Sequence, residues 1–199
     1  ELAGSRADHE LQIQIEQARH RLSHFSHVHV ERTRNGWRVT HAEWRPEDGG
    51  QVPMAPSSGP AFLKGRIDRI ERHEDGRWAL WDYKTGSTKK SPNAVHRAKG
   101  DDDNPGAWRD LQLPLYAHLA QGLIGEAVPE LGYMWLGKDS KETASMALKC
   151  DAVYLAEAHD KACEIIDEVR AGGCPEPKSG FKPFTDMSSF LIGHGLALS

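Results

Sequence analysis

Cysteine is scarce in this sequence, and long apolar runs and a basic excess are missing. The three cysteines, Cys150, Cys163 and Cys174, form no Cys-x-x-Cys pair. An odd, widely spaced set argues against a disulfide framework and favours a reducing, cytoplasmic setting. No apolar run is long enough to cross a membrane, and no signal-peptide pattern is visible. The net charge of −4 does not attract nucleic acid, so a polyanionic partner would need a local basic patch or bound cations.

The length and composition suit a single globular domain. The chain has 199 residues, of which 38% are hydrophobic and 27% charged, which is enough apolar material for a core. No internal repeat is present. Because the first residue is Glu1 rather than Met, we expect residues 1–199 to be one domain forming a C-terminal fragment of a longer protein.

The order of apolar patterns predicts a mixed α/β domain: helix, three strands, helix, strand, helix. Asn35-Gly36 either ends the first helix or turns a hairpin, and we favour the helix end. The predicted helices cover residues 1–34, 111–123 and 154–170. The predicted strands cover residues 37–44, 62–72, 78–84 and 131–136, with an edge strand at 145–150. The segments at 45–60 and about 86–107 are predicted to be loops, and the second is expected to be mobile.

The turn between the strands at 62–72 and 78–84 permits two registers. With a two-residue turn at positions 75 and 76, Asp68 would lie opposite Tyr83, and Asp68 and Asp82 would face opposite sides of the sheet. With a three-residue loop ending in a left-handed Gly76, Asp68 would lie opposite Asp82. Only the second register makes a shared site.

In the second register, Lys84 joins both carboxylates on one face of the sheet. Adjacent carboxylates repel each other, so they need a cation between them. Lys84 supplies one charge, and carboxylate oxygens also suit Mg²⁺. Two carboxylates, a divalent metal and a lysine are suited to phosphodiester hydrolysis. The alternative is a structural ion pair on a solvated sheet face.

Three motifs in order then resemble the RecB-like, or AddB-like, branch of the PD-(D/E)xK nuclease superfamily. They are GRID at residues 65–68, WDYKTG at 81–86 and LQLPLYA at 111–117. An Asp-x-Lys pair alone occurs by chance, whereas this ordered set is specific. The resemblance covers residues 37–136 most clearly.

The resemblance implies a restriction-endonuclease-like α/β core, in which a mixed β-sheet is flanked by helices. It implies a metal site for Mg²⁺ or Mn²⁺ and a catalytic lysine, with a Gln-xxx-Tyr pair one helical turn apart that steadies the lysine or contacts DNA. The implied metal ligands are Asp68, Asp82 and the backbone carbonyl of Tyr83, with Glu43 as a weaker candidate; the implied catalytic residues are Lys84, Asp82, Asp68, Gln112 and Tyr116.

The activity implied is that of a metal-dependent DNA exonuclease acting on ends or single strands in repair or recombination, as part of a helicase–nuclease. Relatives usually carry a further metal-binding histidine on an N-terminal helix, and His9 matches that setting poorly. The alternative is therefore a catalytically incomplete module that keeps the fold and binds DNA or protein. Some relatives hold an iron–sulfur cluster, but Cys174 has no cysteine partners after it, and we expect no cluster.

Two other clusters are better explained without a site. His20, His24 and His27 share one helix face, but no cysteine or acid at a matching spacing completes a zinc site. The basic residues of the 86–107 segment are followed directly by three aspartates, which oppose a path for a DNA backbone. These residues are Lys89, Lys90, Arg97 and Lys99, followed by Asp101, Asp102 and Asp103.

Overall fold

The computed structural model describes residues 2–47, 49–86, 88–100 and 106–173, with side chains from residue 9 onward. The expectations for Cys174 and for Asp101 to Asp103 lie outside the described residues. The helices are α1 (Leu2–Arg34), α2 (Pro92–His96), α3 (Gln112–Leu119), α4 (Gln121–Ile124) and α5 (Ala152–Arg170), and the strands are β1 (Trp37–Trp44), β2 (Gln51–Met54), β3 (Ala61–Lys64), β4 (Ile67–His73), β5 (Trp78–Lys84), β6 (Glu130–Trp135) and β7 (Ala144–Ala147).

The central sheet is mixed, with five strands in the order β1-β4-β5-β6-β7. Only the β5–β6 pair is parallel, and the crossover between these two strands contains α2, α3 and α4. β5 lies in the middle of the sheet, and its residues Ala79 to Asp82 are buried. A parallel pair needs a crossover on one face of the sheet, so this connection places α3 directly over the end of β5.

Helices cover both faces of the sheet. On one face, Leu80, Leu131 and Tyr133 of the sheet pack with Leu113 and Tyr116 of α3 in the larger apolar core. On the other face, Trp81 and Met134 pack against Phe25 and Val28 of α1. Successive strand residues point to opposite faces, which is why neighbouring residues of β5 belong to different cores. The predicted mixed α/β architecture flanked by helices is confirmed.

A buried ionic cluster joins α1 to its face of the sheet. Glu71 is 1% exposed and accepts hydrogen bonds from Arg32 of α1, from Arg69 of β4 and from the indole of Trp81. The Arg32 guanidinium also lies over the Trp81 ring, at 4.4 Å from its centroid. A buried charge is tolerated when it is paired and hydrogen-bonded, and here both conditions hold.

Three sequence expectations are corrected by the structure. The loop at 45–60 contains β2, which forms a separate two-stranded sheet with β3. The single strand expected at 62–72 is two strands, β3 and β4, in different sheets. Segment 86–107 is not a loop throughout, because Pro92 begins the short helix α2, whose last residue, His96, is fully buried. In the first and third cases tertiary packing overrides a composition rich in proline, glycine and polar residues, and in the second the chain leaves one sheet and enters the other at positions 65 and 66.

The single helix predicted at 111–123 is interrupted at Ala120 and forms α3 and α4, and the remaining boundaries agree with the sequence or differ from it by a few residues. α1 ends before Asn35-Gly36 as predicted, but its apolar residues Leu11, Ile15 and Leu22 are exposed. The chain divides into two compact units, Glu1–Asp167 and Glu168–Ser199; of the second, residues 168–173 are described, and they hold the end of α5 and a turn at Gly172. Among the described residues, no helix has the length and apolarity needed to cross a membrane.

Candidate active site

The β4–β5 hairpin has the register that a shared site requires. Arg69 pairs with Trp81 and Arg72 with Trp78, so the pairing follows the three-residue loop and not the two-residue turn. The His73 N–H donates to the Arg77 carbonyl across this loop. Gly76 has a φ of 95°, a conformation that a glycine adopts without steric cost. Of the two registers that the sequence permits, the structure has the one that a shared site requires, and it directs Asp68 and Asp82 to the same face of the sheet.

The two strands separate just beyond this pairing. The recorded pairing ends at Arg69 and Trp81, and the Tyr83 N–H donates to the Asp68 carboxylate at 2.9 Å. The Lys84 carbonyl accepts from the N–H of Leu136, the residue after β6. Because successive carbonyls of a strand alternate in direction, the Tyr83 carbonyl faces the β4 side. Asp68 and the Tyr83 carbonyl therefore lie on the same side of β5, where the strands part.

Asp82 is the buried centre of the arrangement, at 4% exposure. Its Oδ1 accepts hydrogen bonds from Gln112 Nε2 at 2.8 Å and from the Tyr116 hydroxyl at 3.1 Å. Its Oδ2 lies 2.8 Å from Lys84 Nζ but has no aligned hydrogen bond among the described residues. The Lys84 contact is thus an ionic one without hydrogen-bond alignment, and Oδ2 keeps capacity to accept another ligand.

The start of α3 orients Lys84. Gln112 is the first residue of this helix, and its Oε1 accepts a hydrogen bond from Lys84 Nζ at 3.0 Å. Its amide orientation follows from its partners, because an ammonium only donates and a carboxylate only accepts. The Gln112 N–H in turn donates to Asp110 Oδ1 at 2.6 Å. Gln112 therefore contacts both members of the Asp82–Lys84 pair.

Tyr116 lies one helical turn from Gln112 and contacts the same carboxylate. Its hydroxyl accepts from Gln112 Nε2 at 3.2 Å and donates to Asp82. Burial raises the pKa of Tyr116 well above its usual range, and the negative charges of Asp82 and Asp68 raise it further. Tyr116 stays protonated, so it acts as a fixed donor to Asp82.

Tyr133 and His96, which the sequence analysis did not identify, form a second layer of contacts around this cluster. Tyr133 is the register partner of Asp82 on β6, and the Lys84 ammonium lies 5.1 Å from the centroid of its ring. The Tyr133 hydroxyl is 3.0 Å from His96 Nε2, and His96 Nδ1 is 2.8 Å from the Asp110 carbonyl. Because a carbonyl oxygen only accepts, Nδ1 carries a proton, and Nε2 of the neutral ring accepts from Tyr133.

These contacts close a ring around Lys84. The chain of contacts runs from Asp82 through Gln112, Asp110, His96 and Tyr133 back to the lysine. The parallel register of β5 and β6 could have pointed to Tyr133, but no sequence signal identified His96, since its position depends on α2.

We expect His96 to make the fold less stable as the pH falls. Burial lowers the pKa of His96, and the Lys84 charge also lowers it, against opposing effects of Asp110 and Asp82. Below the ordinary histidine pKa of about 6.5, His96 therefore binds a proton in the unfolded chain but stays neutral in the folded chain until the pH reaches its lowered pKa. The free energy of unfolding should decrease as the pH falls through 6.5 toward the folded pKa, and this group should have no effect above that window.

Urea unfolding at pH 7.5, 6.5 and 5.5 checks this expectation. His96→Asn retains an amide donor for the Asp110 carbonyl but does not titrate, so its free energy of unfolding should fall less than that of the wild type over this range. The matched control is His20→Asn, at an exposed position of α1, which should keep the wild-type slope. Equal slopes for wild type and His96→Asn would show that His96 is not the titrating group.

Glu43 lies apart from these contacts. Glu43 lies on β1 between the pairs Ala42–Arg69 and Trp44–Ile67, which places it beside Asp68 of β4. Its carboxylate forms an ion pair with Arg66 at 2.7 Å, and both side chains are about half exposed. Its φ of 55° is rare for a residue other than glycine. The described contacts bring together Asp68, Tyr83, Asp82, Lys84, Gln112 and Tyr116, and Glu43 does not take part in them.

The oxygen donors of this cluster fit a small divalent cation. Among the described residues, no group of three or more His, Cys, Asp or Glu side chains is placed to hold a metal. Mg²⁺ usually binds one or two protein carboxylates and keeps several waters. Asp68, the Tyr83 carbonyl and the available Oδ2 of Asp82 would supply such a partial shell. Hard oxygen donors favour Mg²⁺ or Mn²⁺ over softer metals.

A protein-family model matches most of the chain. The model of the PD-(D/E)XK nuclease superfamily matches residues 1–180. No curated protein matches the chain. The match covers the sheet, the β4–β5 hairpin and α3, which carry the Asp82, Lys84 and Gln112 contacts. The chain belongs to the PD-(D/E)XK nuclease superfamily.

Proposed function

We propose that this nuclease-superfamily domain is a Mg²⁺- or Mn²⁺-dependent deoxyribonuclease of the RecB-like type, and that it cuts as an exonuclease. The observation that carries the proposal is the position of Lys84. Its ammonium is held between Asp82 Oδ2 at 2.8 Å and Gln112 Oε1 at 3.0 Å, while the side chain stays 35% exposed. A purely structural ion pair would not need a buried carboxylate with an available oxygen beside a partly exposed lysine.

Each residue has a separate role in this proposal. A divalent cation bound by Asp68, Asp82 and the Tyr83 carbonyl would supply positive charge to the scissile phosphate and make water more acidic. Lys84 orients the attacking water or stabilises negative charge that develops on the phosphate. Gln112 is a positioning residue, because it contacts Lys84 and Asp82 at the same time.

Tyr116 and the second layer hold the carboxylate and the lysine in place. The Tyr116 hydroxyl keeps Asp82 Oδ1 occupied, which leaves Oδ2 for the cation. The Tyr133 ring and Gln112 contact the same ammonium, so Lys84 loses little conformational freedom during the reaction. Such preorganisation is how an active site stabilises charge without reorganising at the moment of reaction.

Metal-dependent cleavage tests the proposal directly. The chain is incubated with end-labelled linear single strands, linear duplexes and circular single strands, with Mg²⁺, with Mn²⁺ or with EDTA. We expect the linear DNA to be cut only with metal, and the circle to survive if the action is exonucleolytic. Cutting that persists in EDTA, or an equal loss of the circle, would contradict the metal requirement or the exonuclease mode respectively.

A second candidate function is a binding module that keeps the fold without turnover. The observation that favours it is the small ligand set, since no third acidic, histidine or cysteine side chain joins Asp68 and Asp82 among the described residues. This alternative predicts metal-independent DNA binding and no cleavage with either cation. The cleavage panel separates it from the nuclease, when binding is measured in parallel by fluorescence anisotropy.

The setting in repair or recombination, the helicase partner and the cytoplasmic location are part of the same proposal. They rest on the RecB-like motifs GRID, DYK and Gln112-xxx-Tyr116 and on the low cysteine content. Copurification of the native protein with a helicase would support the partnership. A protein that cuts DNA at its full rate without ATP or any partner would argue against it.

A further inference from the structure

We propose that the cavity beside Lys84 is a subsite for one unpaired nucleotide of the substrate strand, next to the bond that is cut; this inference rests on the proposed function. The cavity has a volume of about 450 Å³, within the range of small-molecule sites. Tyr133 and Trp135 of β6 are in its lining, as is Lys84, which also belongs to the candidate active site.

The register of the sheet makes this cavity a continuation of the active site. Asp82 pairs with Tyr133, and Lys84 pairs with Trp135, in the parallel β5–β6 ladder. Side chains at paired positions share a face of the sheet. A strand whose phosphate lies at Asp82 and Lys84 would therefore have its neighbouring nucleotide over Tyr133 and Trp135.

The charges of the lining suit a phosphodiester. Two ammonium groups, those of Lys84 and Lys90, line the cavity together with the Thr88 hydroxyl. The one carboxylate in the lining, Asp110, already accepts a hydrogen bond from the Gln112 N–H at 2.6 Å. Lysine ammonium groups neutralise phosphates, so an anionic ligand is favoured over a neutral one.

An unpartnered hydrogen-bond donor on a lining residue of the cavity favours a nucleobase as part of the ligand. Trp135 is 7% exposed, and its Nε1–H has no hydrogen-bond partner among the described residues. An unsatisfied buried donor is costly, and a ring nitrogen or carbonyl on the edge of a base would satisfy it. That edge is free only when the base is unpaired, which is why the subsite selects single strands or frayed ends.

A second cavity shares Gln112 and Tyr116 with the candidate active site, which favours a strand over a free mononucleotide as the ligand. It has a volume of about 290 Å³, and Arg66, Lys64, Gln112 and Tyr116 are in its lining. Gln112 lines this second cavity and contacts Lys84, which lines the first, as well as Asp82. Cationic side chains are therefore present in the linings of both cavities, with Arg66 paired to Glu43 at 2.7 Å.

The test measures binding without cleavage. Fluorescein-labelled single-stranded octamers of thymidine are titrated with the whole chain in EDTA, and the dissociation constant is read from anisotropy. Lys90→Gln should raise it by about three- to tenfold, and Trp135→Phe, which removes only the donor, by about fivefold. The matched control is Lys89→Gln, because Lys89 contacts the Lys141 carbonyl outside the cavity; it should change the constant less than twofold.

An abasic scan locates the base. One abasic nucleotide is placed at each position of the octamer in turn. At one position, the abasic strand should bind the wild type as weakly as the intact octamer binds Trp135→Phe. At that position the abasic strand should bind wild type and Trp135→Phe equally. Gly86→Ala is a second variant in case Trp135→Phe does not fold: a Cβ at Gly86 would lie 2.9 Å from the Trp135 ring, which narrows the cavity and should also weaken binding.

The outcomes distinguish the subsite from the nuclease. Cavity variants that bind normally, with no sensitive abasic position, overturn the subsite even if the wild type cuts DNA. Cavity variants that bind poorly support the subsite even if no metal gives cleavage, and the nuclease proposal then fails alone. A wild type that neither binds nor cuts any strand overturns both.

Discussion

Asp82→Asn should lower metal-dependent cleavage by about 10²–10³-fold, the loss typical when one preorganised electrostatic group is removed from an active site. Asparagine keeps the shape of the side chain and an oxygen that can accept from Gln112 and Tyr116. It removes the negative charge and turns its amide nitrogen toward Lys84, which now contacts Asp82 Oδ2 at 2.8 Å. The variant should therefore fold but lose the cation and the orientation of the lysine.

The fold should tolerate this change because Lys84 does not depend on Asp82 alone. Its side chain is 35% exposed and also contacts Gln112, so the ammonium remains solvated and partnered when the carboxylate is gone. Initial rates on a labelled single strand, with Mn²⁺ titrated to saturation, measure the effect. The unfolding midpoint in urea, measured on the same preparation, shows whether the variant is folded.

Asp75→Asn is the matched control for Asp82→Asn. It is the same substitution in the same hairpin, but Asp75 lies in the exposed turn, where hydrogen bonds to Arg77 hold the pKa of its carboxyl down at about 2. Its rate should stay within twofold of the wild type. If Asp82→Asn cuts as fast as Asp75→Asn, Asp82 is not part of the catalytic machinery, and the cluster is a structural ion pair.

The hairpin register was predictable because it depends on local geometry. The length of the turn decides which side chains face each other, and a glycine at the third loop position favours the three-residue form. The alignment of Asp68 with Asp82 then follows from the two-residue period of a strand. The observed pairing from Arg69–Trp81 to Arg72–Trp78 has the same register.

The second layer was not predictable, because it depends on contacts between distant segments. His96 is buried only because α2 folds back against β6, and the glycine- and proline-rich composition around it indicated a loop. The same limit explains β2, whose hairpin with β3 lies in a segment with strong turn signals. Helical periodicity predicted α1 but not which residues it buries, and Leu11, Ile15 and Leu22 are exposed.

The candidate site could be predicted from the sequence only in part. Gln112 and Tyr116 share a helix face because they are four residues apart, so the sequence could direct both toward the same neighbour. Which neighbour depended on the crossover from β5 to β6, which the order of elements alone did not determine. The structure adds that Gln112 contacts both Lys84 and Asp82, and that the Asp68 carboxylate accepts from the Tyr83 N–H.

The largest loss of stability is expected from Glu71→Ala, on the opposite face of the sheet. Glu71 is 1% exposed, and its two oxygens accept from Arg32 Nε at 2.6 Å, Arg69 Nε at 2.8 Å and Trp81 Nε1 at 2.9 Å. Alanine would leave two guanidinium groups and an indole N–H without this acceptor. Removing one partner of a buried ion pair typically costs about 3–5 kcal/mol.

Arg32 keeps a second acidic partner when Glu71 is replaced, whereas Arg69 does not. Arg32 lies near the end of α1 and also contacts Glu130 of β6 at 3.1 Å, so part of its charge stays compensated in the variant. Arg69 is 5% exposed, and in the described part of the chain it would keep hydrogen bonds to His29 and the Tyr83 hydroxyl and a contact with the Phe25 ring, none of which carries a full negative charge. The uncompensated charge should therefore be that of Arg69, and the loss should loosen the contact of α1 with the sheet.

Urea unfolding of Glu71→Ala and Glu74→Ala separates a buried pair from an exposed one in the same hairpin. Glu74 pairs with Arg38 at 2.9 Å, with side-chain exposures of 66% and 54% respectively, and a pair of this kind contributes only about 0–1 kcal/mol. Glu71→Gln keeps one acceptor oxygen, so its free energy of unfolding should lie between those of the two alanine variants. This variant gives a measurable value if Glu71→Ala does not fold. A Glu71→Ala protein that unfolds within 1 kcal/mol of Glu74→Ala would mean that the arginines find water when the carboxylate is lost, and that α1 does not depend on this cluster for its position on the sheet.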